Sequence, residues 1–274
     1  MIQRLREIAA YRELLRNLVV RDLKVRYRNS FFGFLWALGN PLLMMGVFTL
    51  VFTVLWPQDV YKFPVFILAG LLPWNFFSSS VMGSISSITG NAHLIKKVYF
   101  PREILPAAMV TSNLVNFCLA LIALFFVILL FQIKLTVWLL LLPLVILVQM
   151  LFTMGVAFFL SAINVFYRDT EVIMDVVVMA LFFMTPVFYP IERLPQSFVA
   201  FGADLPVQRL MYILNPMASL IATYRSIIYG SYTGGPPGPP GLDFFLRTAV
   251  TSLVFFIAGY LFFASRSHRF GEEV

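Results

Sequence analysis

Six stretches of this chain are each long and apolar enough to cross a bilayer: Phe31 to Trp56, Val65 to Ile88, Ala107 to Phe131, Val137 to Ala162, Thr170 to Pro190 and Phe244 to Ser265. A helix of about 20 apolar residues matches the hydrocarbon thickness of a membrane and pairs all its backbone groups internally, as lipid requires. Composition closes the alternative of a water-soluble fold. Thirty phenylalanines, 60% hydrophobic residues and only 12% charged residues exceed what one globular core hides. The expected class is an all-α integral membrane protein, a single transmembrane domain over residues 1–274 with spans at 31–56, 65–88, 107–131, 137–162, 170–190 and 244–265.

Charge supplies the orientation. Fourteen of the twenty Lys and Arg fall in the first thirty residues, the 89–106 and 163–169 loops and the tail. The positive-inside rule therefore places both termini and those loops in the cytoplasm. The net charge of +7 is dispersed rather than grouped on a soluble module, which suits anionic lipid headgroups and gives no reason to expect nucleic acid as a partner. Eight basic residues in the first thirty, without a compact apolar core, leave no cleavable leader expected. Leu5, Ile8, Tyr11, Leu15 and Leu18 recur at helical spacing with Arg4, Arg6, Arg12 and Arg16 between them, so 1–30 is expected to hold an amphipathic interfacial helix. Cys118, the single cysteine, is expected to be a small buried hydrophobe.

Residues 191–243 form the longest non-spanning segment. Val207 to Tyr229 is apolar but broken by Asn215 and Pro216, and a seventh span there would send the tail outside. Short re-entrant helices on the external side, covered by protein, fit better. GGPPGPPG, residues 234–241, is expected to be an exposed linker.

No phosphate-binding loop, nucleophile elbow or metal-ligand spacing is present, and His93 and His268 stand apart, so neither a metal nor a cofactor is expected in this chain. The spans are nearly free of charge: Glu171 and Asp175 begin the fifth and Arg247 the sixth. Ion-coupled carriers need ionisable groups at mid-membrane, so a driving force from outside the membrane is expected instead. LIKKVYFPREILP, residues 94–106, is equipped to receive it: Pro101 and Pro106 confine helix to about Asn91 to Tyr99, with Leu94, Ile95, Val98, Tyr99 and Phe100 offering an apolar face. A solvated charged anchor is the plainer account of the same residues.

The runs LLRNLVVRDLKVRYRNSFFGFLWALGNPLL (14–43), FPVFILAGLLPWNFF (63–77), GNAHLIKKVYFPREILP (90–106), NVFYRD (164–169) and LNPMASLIATYRSIIYG (214–230) resemble the membrane subunit of ABC-2 type exporters. The nearer likeness is to the branch that moves O-antigen, capsular polysaccharide or teichoic acid, and it covers almost the whole chain. The resemblance implies a homodimer in the bacterial cytoplasmic (inner) membrane, working with two separate ATP-binding subunits that hold the ATP and Mg. It places the coupling contact on residues 91–103, with Asn91, Leu94, Ile95, Lys96, Lys97, Val98, Tyr99, Arg102 and Glu103. Arg168 and Asp169 are secondary contacts.

The substrate it implies is a glycan on an undecaprenyl-type pyrophosphate. Arg21, Lys24, Arg26 and Arg28 stand at headgroup depth for the pyrophosphate, or for ordinary anionic lipid. Trp36, Trp74, Phe77, Phe183, Tyr189, Tyr212 and Tyr224 are candidates for a conduit on which sugar faces stack. Two other functions share the sequence. One is ABC-2 export of a drug, haem or smaller lipid; the other is a membrane glycan ligase or polymerase using Glu192, Arg193, Asp204, Arg209, Arg225 and Asp243.

Overall fold

The computed structural model describes residues 11–28, 35–195, 197–200 and 203–273. Arg4, Leu5, Arg6 and Ile8 of the expected interfacial helix, and the 29–34 junction into the first span, lie outside the described residues. The described chain is helical except for one antiparallel hairpin, β1 (Phe198–Ala200) with β2 (Ala203–Leu205), in which Phe198 faces Leu205. The all-α class holds, and the hairpin is a local departure where Pro195 and Pro206 flank the stretch and stop a continuing helix.

Eleven helices are described. The chain begins with α1 (Arg12–Tyr27), which buries Leu18 and Val19 and leaves Arg12, Arg16 and Arg21 exposed. Next come α2 (Trp36–Leu50, continued by a π turn to Leu55), α3 (Phe63–Ile85), the short α4 (Ala92–Lys97) and α5 (Ile104–Leu130). Then follow α6 (Leu142–Phe166, entered through a 3-10 turn from Val137), α7 (Thr170–Met184), α8 (Val207–Leu214), α9 (Pro216–Ile228), α10 (Leu242–Arg266) and α11 (Phe270–Glu273).

Five helices are long and apolar enough to cross a membrane: Trp36–Leu55, Phe63–Ile85, Ile104–Leu130, Val137–Phe166 and Leu242–Glu273. The molecule is thus a multi-pass membrane protein. The fifth expected span, 170–190, holds only the 15-residue α7, which stops where the Thr185 N–H bonds the Leu181 carbonyl and Pro186 has no N–H to continue the ladder.

The core is organised on α3, whose span is 78% buried, whereas that of α2 is 6% buried. Interior polar groups are stable only when partnered. Gln149 of α6 donates from Nε2 to the Pro73 carbonyl (2.7 Å) and accepts from the Tyr224 hydroxyl on Oε1 (2.8 Å), tying α3, α6 and α9 together. Asn164 Nδ2 caps the end of α3 at the Ile85 carbonyl (3.1 Å). α6 and α10 cross at Gly155 and Gly259, where each backbone occupies the space a Cβ on the other would need. In the 207–229 segment the break falls at Asn215, whose Oδ1 accepts the Met217 and Ala218 N–H groups while Pro216 opens α9.

The connections gather at two poles. Tyr11 donates to the Tyr99 carbonyl (3.4 Å), Arg102 to the Ser267 carbonyl, and Phe270 packs on Phe166 and Phe263, so α1, the 95–103 loop, the α6–α7 turn and the tail share one pole. At the other, Tyr229 donates to the Tyr61 carbonyl, Lys62 to that of Gln132 (3.3 Å) and Arg193 to that of Asp59 (2.8 Å). Two expectations are corrected here. The Pro-rich loop is folded back rather than a free linker: Pro237 and Pro240 are buried, and Ser226 bonds the carbonyls of Gly238 and Pro239. Cys118 is exposed rather than buried.

Candidate functional site

A cavity of about 370 Å³ opens where α1 ends, between α2, α3 and α5. Arg26, in the last turn of α1, lines its mouth. The guanidinium donates from Nη2 to Asn113 Oδ1 (2.9 Å), and Asn113 is held in that sense because its Nδ2 donates to the Met109 carbonyl one turn back (3.0 Å). Deeper walls come from Trp36, Ala37, Asn40 and Pro41 of α2, Leu72, Asn75, Phe76 and Ser79 of α3, and Asn116, Phe117 and Ala120 of α5. Phe76 and Phe117 stack at 5.3 Å and form an apolar wall. The lining has one charge, that of Arg26, and otherwise neutral amides, a hydroxyl, rings and the aliphatic groups of Ala37, Leu72 and Ala120. Such a surface can hold an anion at its mouth and a neutral, hydroxyl-bearing group inside.

The basic residues singled out from the sequence separate on this geometry. Arg26 faces the cavity. Arg21 turns to Asp22 (3.2 Å) and to Asn91 Oδ1 (3.4 Å) at the entrance to α4, and Lys24 and Arg28 are exposed. A census of charge does not register amides and so misses Asn75, Asn113 and Asn116. Their signal was available: each interrupts an apolar window, and Asn113 and Asn116 stand one helical turn apart.

A second depression, about 730 Å³, lies at the pole of the 95–103 loop. It is lined by Tyr11, residues 95–103, Ser267 and His268, so α1, the loop and the tail build it jointly. α4 ends at Lys97, and Val98 takes an extended conformation that carries Tyr99 into solvent at 94% exposure. Lys96 and Lys97 are exposed, Leu94 and Ile95 pack on the core, and Glu103 is buried beneath the loop. Arg168 and Asp169 are exposed in the turn before α7, at the same pole.

The aromatic candidates fall in four places. Trp36 lines the cavity. Trp74, Phe183 and Tyr189 belong to one ring cluster that also holds Phe48, Phe52, Phe182 and Phe188, with Phe183 exposed at 58% and Trp74 buried. Phe77 stacks on Phe152 (5.5 Å), and Tyr224 is fully enclosed by Gln149 and Phe117; both serve as core packing, with no face left for a sugar.

Tyr212 lines a third cavity, about 360 Å³, with Glu192, Arg225 and Tyr232. Burial, reinforced by the Glu192 carboxylate and opposed by Arg225, pushes its hydroxyl up to about 12, so it remains a neutral hydrogen-bonding group. Arg225 is not available as a catalytic group. It lies 3.6 Å over the Phe66 ring and donates to the carbonyls of Phe66, Pro186 and Val187. Among the described residues no three His, Cys, Asp or Glu converge.

Comparison with known proteins agrees with this architecture. The family model described as ABC-2 type transporter matches residues 13–229. The chain is 39% identical, over the full length of both, to the O-antigen export system permease protein RfbA of Myxococcus xanthus. It is 28% identical to the protein of the same name in Klebsiella pneumoniae, over 92% of this chain and 91% of that one. The polysialic acid transport protein KpsM of Escherichia coli is 21% identical over 78% of this chain and 81% of its own. A match spanning most of the chain and a full-length relative of this identity settle the family: the chain belongs to the ABC-2 type transporters, as a membrane component.

Proposed function

We propose that this chain is the membrane subunit of an ATP-driven exporter that moves polysaccharide linked to a polyprenyl pyrophosphate out across the bacterial cytoplasmic membrane. The observation that carries the reading is the full-length likeness to an O-antigen export permease. Two copies of the chain form the path, and two separate ATP-binding subunits, which hold the ATP and Mg, drive it. The chain itself needs no cofactor. Six crossings with both termini in the cytoplasm complete the topology, α7 and the non-helical residues after it making the fifth; the two-pole arrangement supports this, since α7 starts beside Phe270 and the segment after it reaches Asp59. α8 and α9 then sit on the external side as re-entrant helices.

In this reading the 95–103 loop receives the movement of the ATPases. Tyr99 and Lys97 face outward for that contact, and the loop continues directly into α5, which carries Asn113 and Asn116 of the Arg26 cavity. Arg26 takes the pyrophosphate, because a guanidinium at the edge of a low-dielectric cavity makes strong, directional bonds to phosphate oxygens.

Purification tests it. A Walker-motif ATPase should co-isolate, and its turnover in proteoliposomes should rise severalfold when polyprenyl-pyrophosphate glycan is added and fall back when Arg26 is changed to Ala. Stimulation by a drug or free haem instead of glycan would overturn the substrate assignment.

A further inference from the structure

The Arg26 cavity has more in it than a pyrophosphate needs. Asn40, Asn75, Ser79 and Asn116 lie past Arg26, contributed by three helices, at positions where a span ordinarily carries apolar groups. Asn75 stands near the middle of α3, twelve residues from one end and ten from the other. An amide at that depth is unfavourable unless it meets a polar partner. Asn113 has its partners, Arg26 and Met109. The side chains of Asn75 and Asn40 make no hydrogen bond among the described residues, yet both line the same cavity.

Resting on the export reading above, we infer that this cavity binds the sugar joined directly to the lipid pyrophosphate. The amides of Asn40 and Asn75 hydrogen-bond its hydroxyl or acetamido groups, Trp36 covers its apolar face, and the buried Phe76–Phe117 stack backs the wall. Three properties select this occupant. The lining has no carboxylate and no second cation, which suits a neutral group attached to one anion. A lipid tail would leave the Asn40 and Asn75 amides unsatisfied. The volume of about 370 Å³ is near the lower end of small-molecule sites, enough for one or two sugar rings and too small for a polymer, so the cavity reads the reducing end and does not conduct the chain.

The test is equilibrium binding to the chain, purified with its co-isolated ATPase in lipid nanodiscs. The probes are undecaprenyl pyrophosphate alone and undecaprenyl pyrophosphate bearing a single N-acetylhexosamine. The sugar should raise affinity in the wild type by on the order of tenfold, the scale of a few net hydrogen bonds. Asn75→Ala and Asn40→Ala should each lose severalfold of that ratio while keeping affinity for undecaprenyl pyrophosphate alone. Arg26→Ala should weaken both probes and leave the ratio in place. Asn40 is exposed on α2, so its variant keeps the test decisive if Asn75→Ala fails to fold. A wild-type ratio of one, or a ratio that survives both asparagine substitutions, overturns the inference. An unchanged affinity for undecaprenyl pyrophosphate in Arg26→Ala overturns the pyrophosphate assignment instead, whatever the ratio does.

Discussion

Gly259 and Gly155 touch backbone to backbone where α10 crosses α6, so a methyl group at either position has no room that a rotamer change can supply. Gly259→Ala is expected to destabilise the folded chain by about 1–3 kcal/mol, the usual cost of overpacking, and to lower the melting temperature in detergent. Gly46→Ala, with nothing within 4 Å of the added Cβ, is the neutral comparison, and equal melting of the two variants would contradict the contact. Arg225 gives a second case. Its guanidinium holds the carbonyls of Pro186 and Val187 against Phe66, and Gly70 makes the space: a Cβ there would sit 2.6 Å from Nη2. Arg225→Met keeps bulk but orphans buried acceptors at about 1–3 kcal/mol each, so thermal unfolding should shift down well beyond the Gly259 variant. Neither effect was legible in the sequence. Arg225 looked like an outer-face charge, because its burial depends on the helix break at Thr185–Pro186 and on one glycine 155 residues away.

Elements were easier to foresee than their contacts. Long apolar windows fix the spans because lipid leaves the backbone no choice but helix, and the expected short helix at Asn91 to Tyr99 appears as a 3-10 turn, Thr89–Asn91, followed by α4. The break between α8 and α9 was readable for a local reason, the Asn-Pro cap. What escaped was the tail, where one aromatic in a polar stretch has no periodicity to announce it. Phe270 is fully buried against Phe166 and Phe263, and this anchors α11 so that Ser267 can accept from Arg102 at the root of the loop. The tail therefore buttresses the surface on which an ATPase would act. Phe270→Ala should leave the spans folded, with melting within a few degrees of wild type, while glycan exported per ATP hydrolysed drops severalfold in proteoliposomes. An unchanged ratio would reduce the tail to packing alone.

At the scale of the molecule the open quantity is the number of crossings, and α7 decides it. Its 15 residues span about 22 Å, less than the hydrocarbon thickness of about 30 Å. The chain from Thr185 to Pro190 is not helical but runs in turns and bends, with the Val187 N–H on the Thr185 carbonyl (2.7 Å), and the remaining distance of about 8 Å falls to these six residues. They lack helical pairing, but Arg225 satisfies the Pro186 and Val187 carbonyls and Thr185 Oγ1 accepts from Asn215 Nδ2 (2.8 Å), so protein and not lipid meets their polar groups. Hydropathy could see a fifth apolar stretch but not this division, because the compensation comes from a helix thirty residues further on. Single cysteines introduced on a Cys118→Ser background give the answer. With six crossings, Thr233→Cys should react with an impermeant maleimide on intact cells, while Asn17→Cys and His268→Cys should react only after permeabilisation. With five, Thr233 and Asn17 would be protected together and His268 labelled from outside. That second pattern would separate the tail from α1 and the 95–103 loop across the membrane, against the Arg102–Ser267 and Tyr11–Tyr99 bonds that hold all three at one pole.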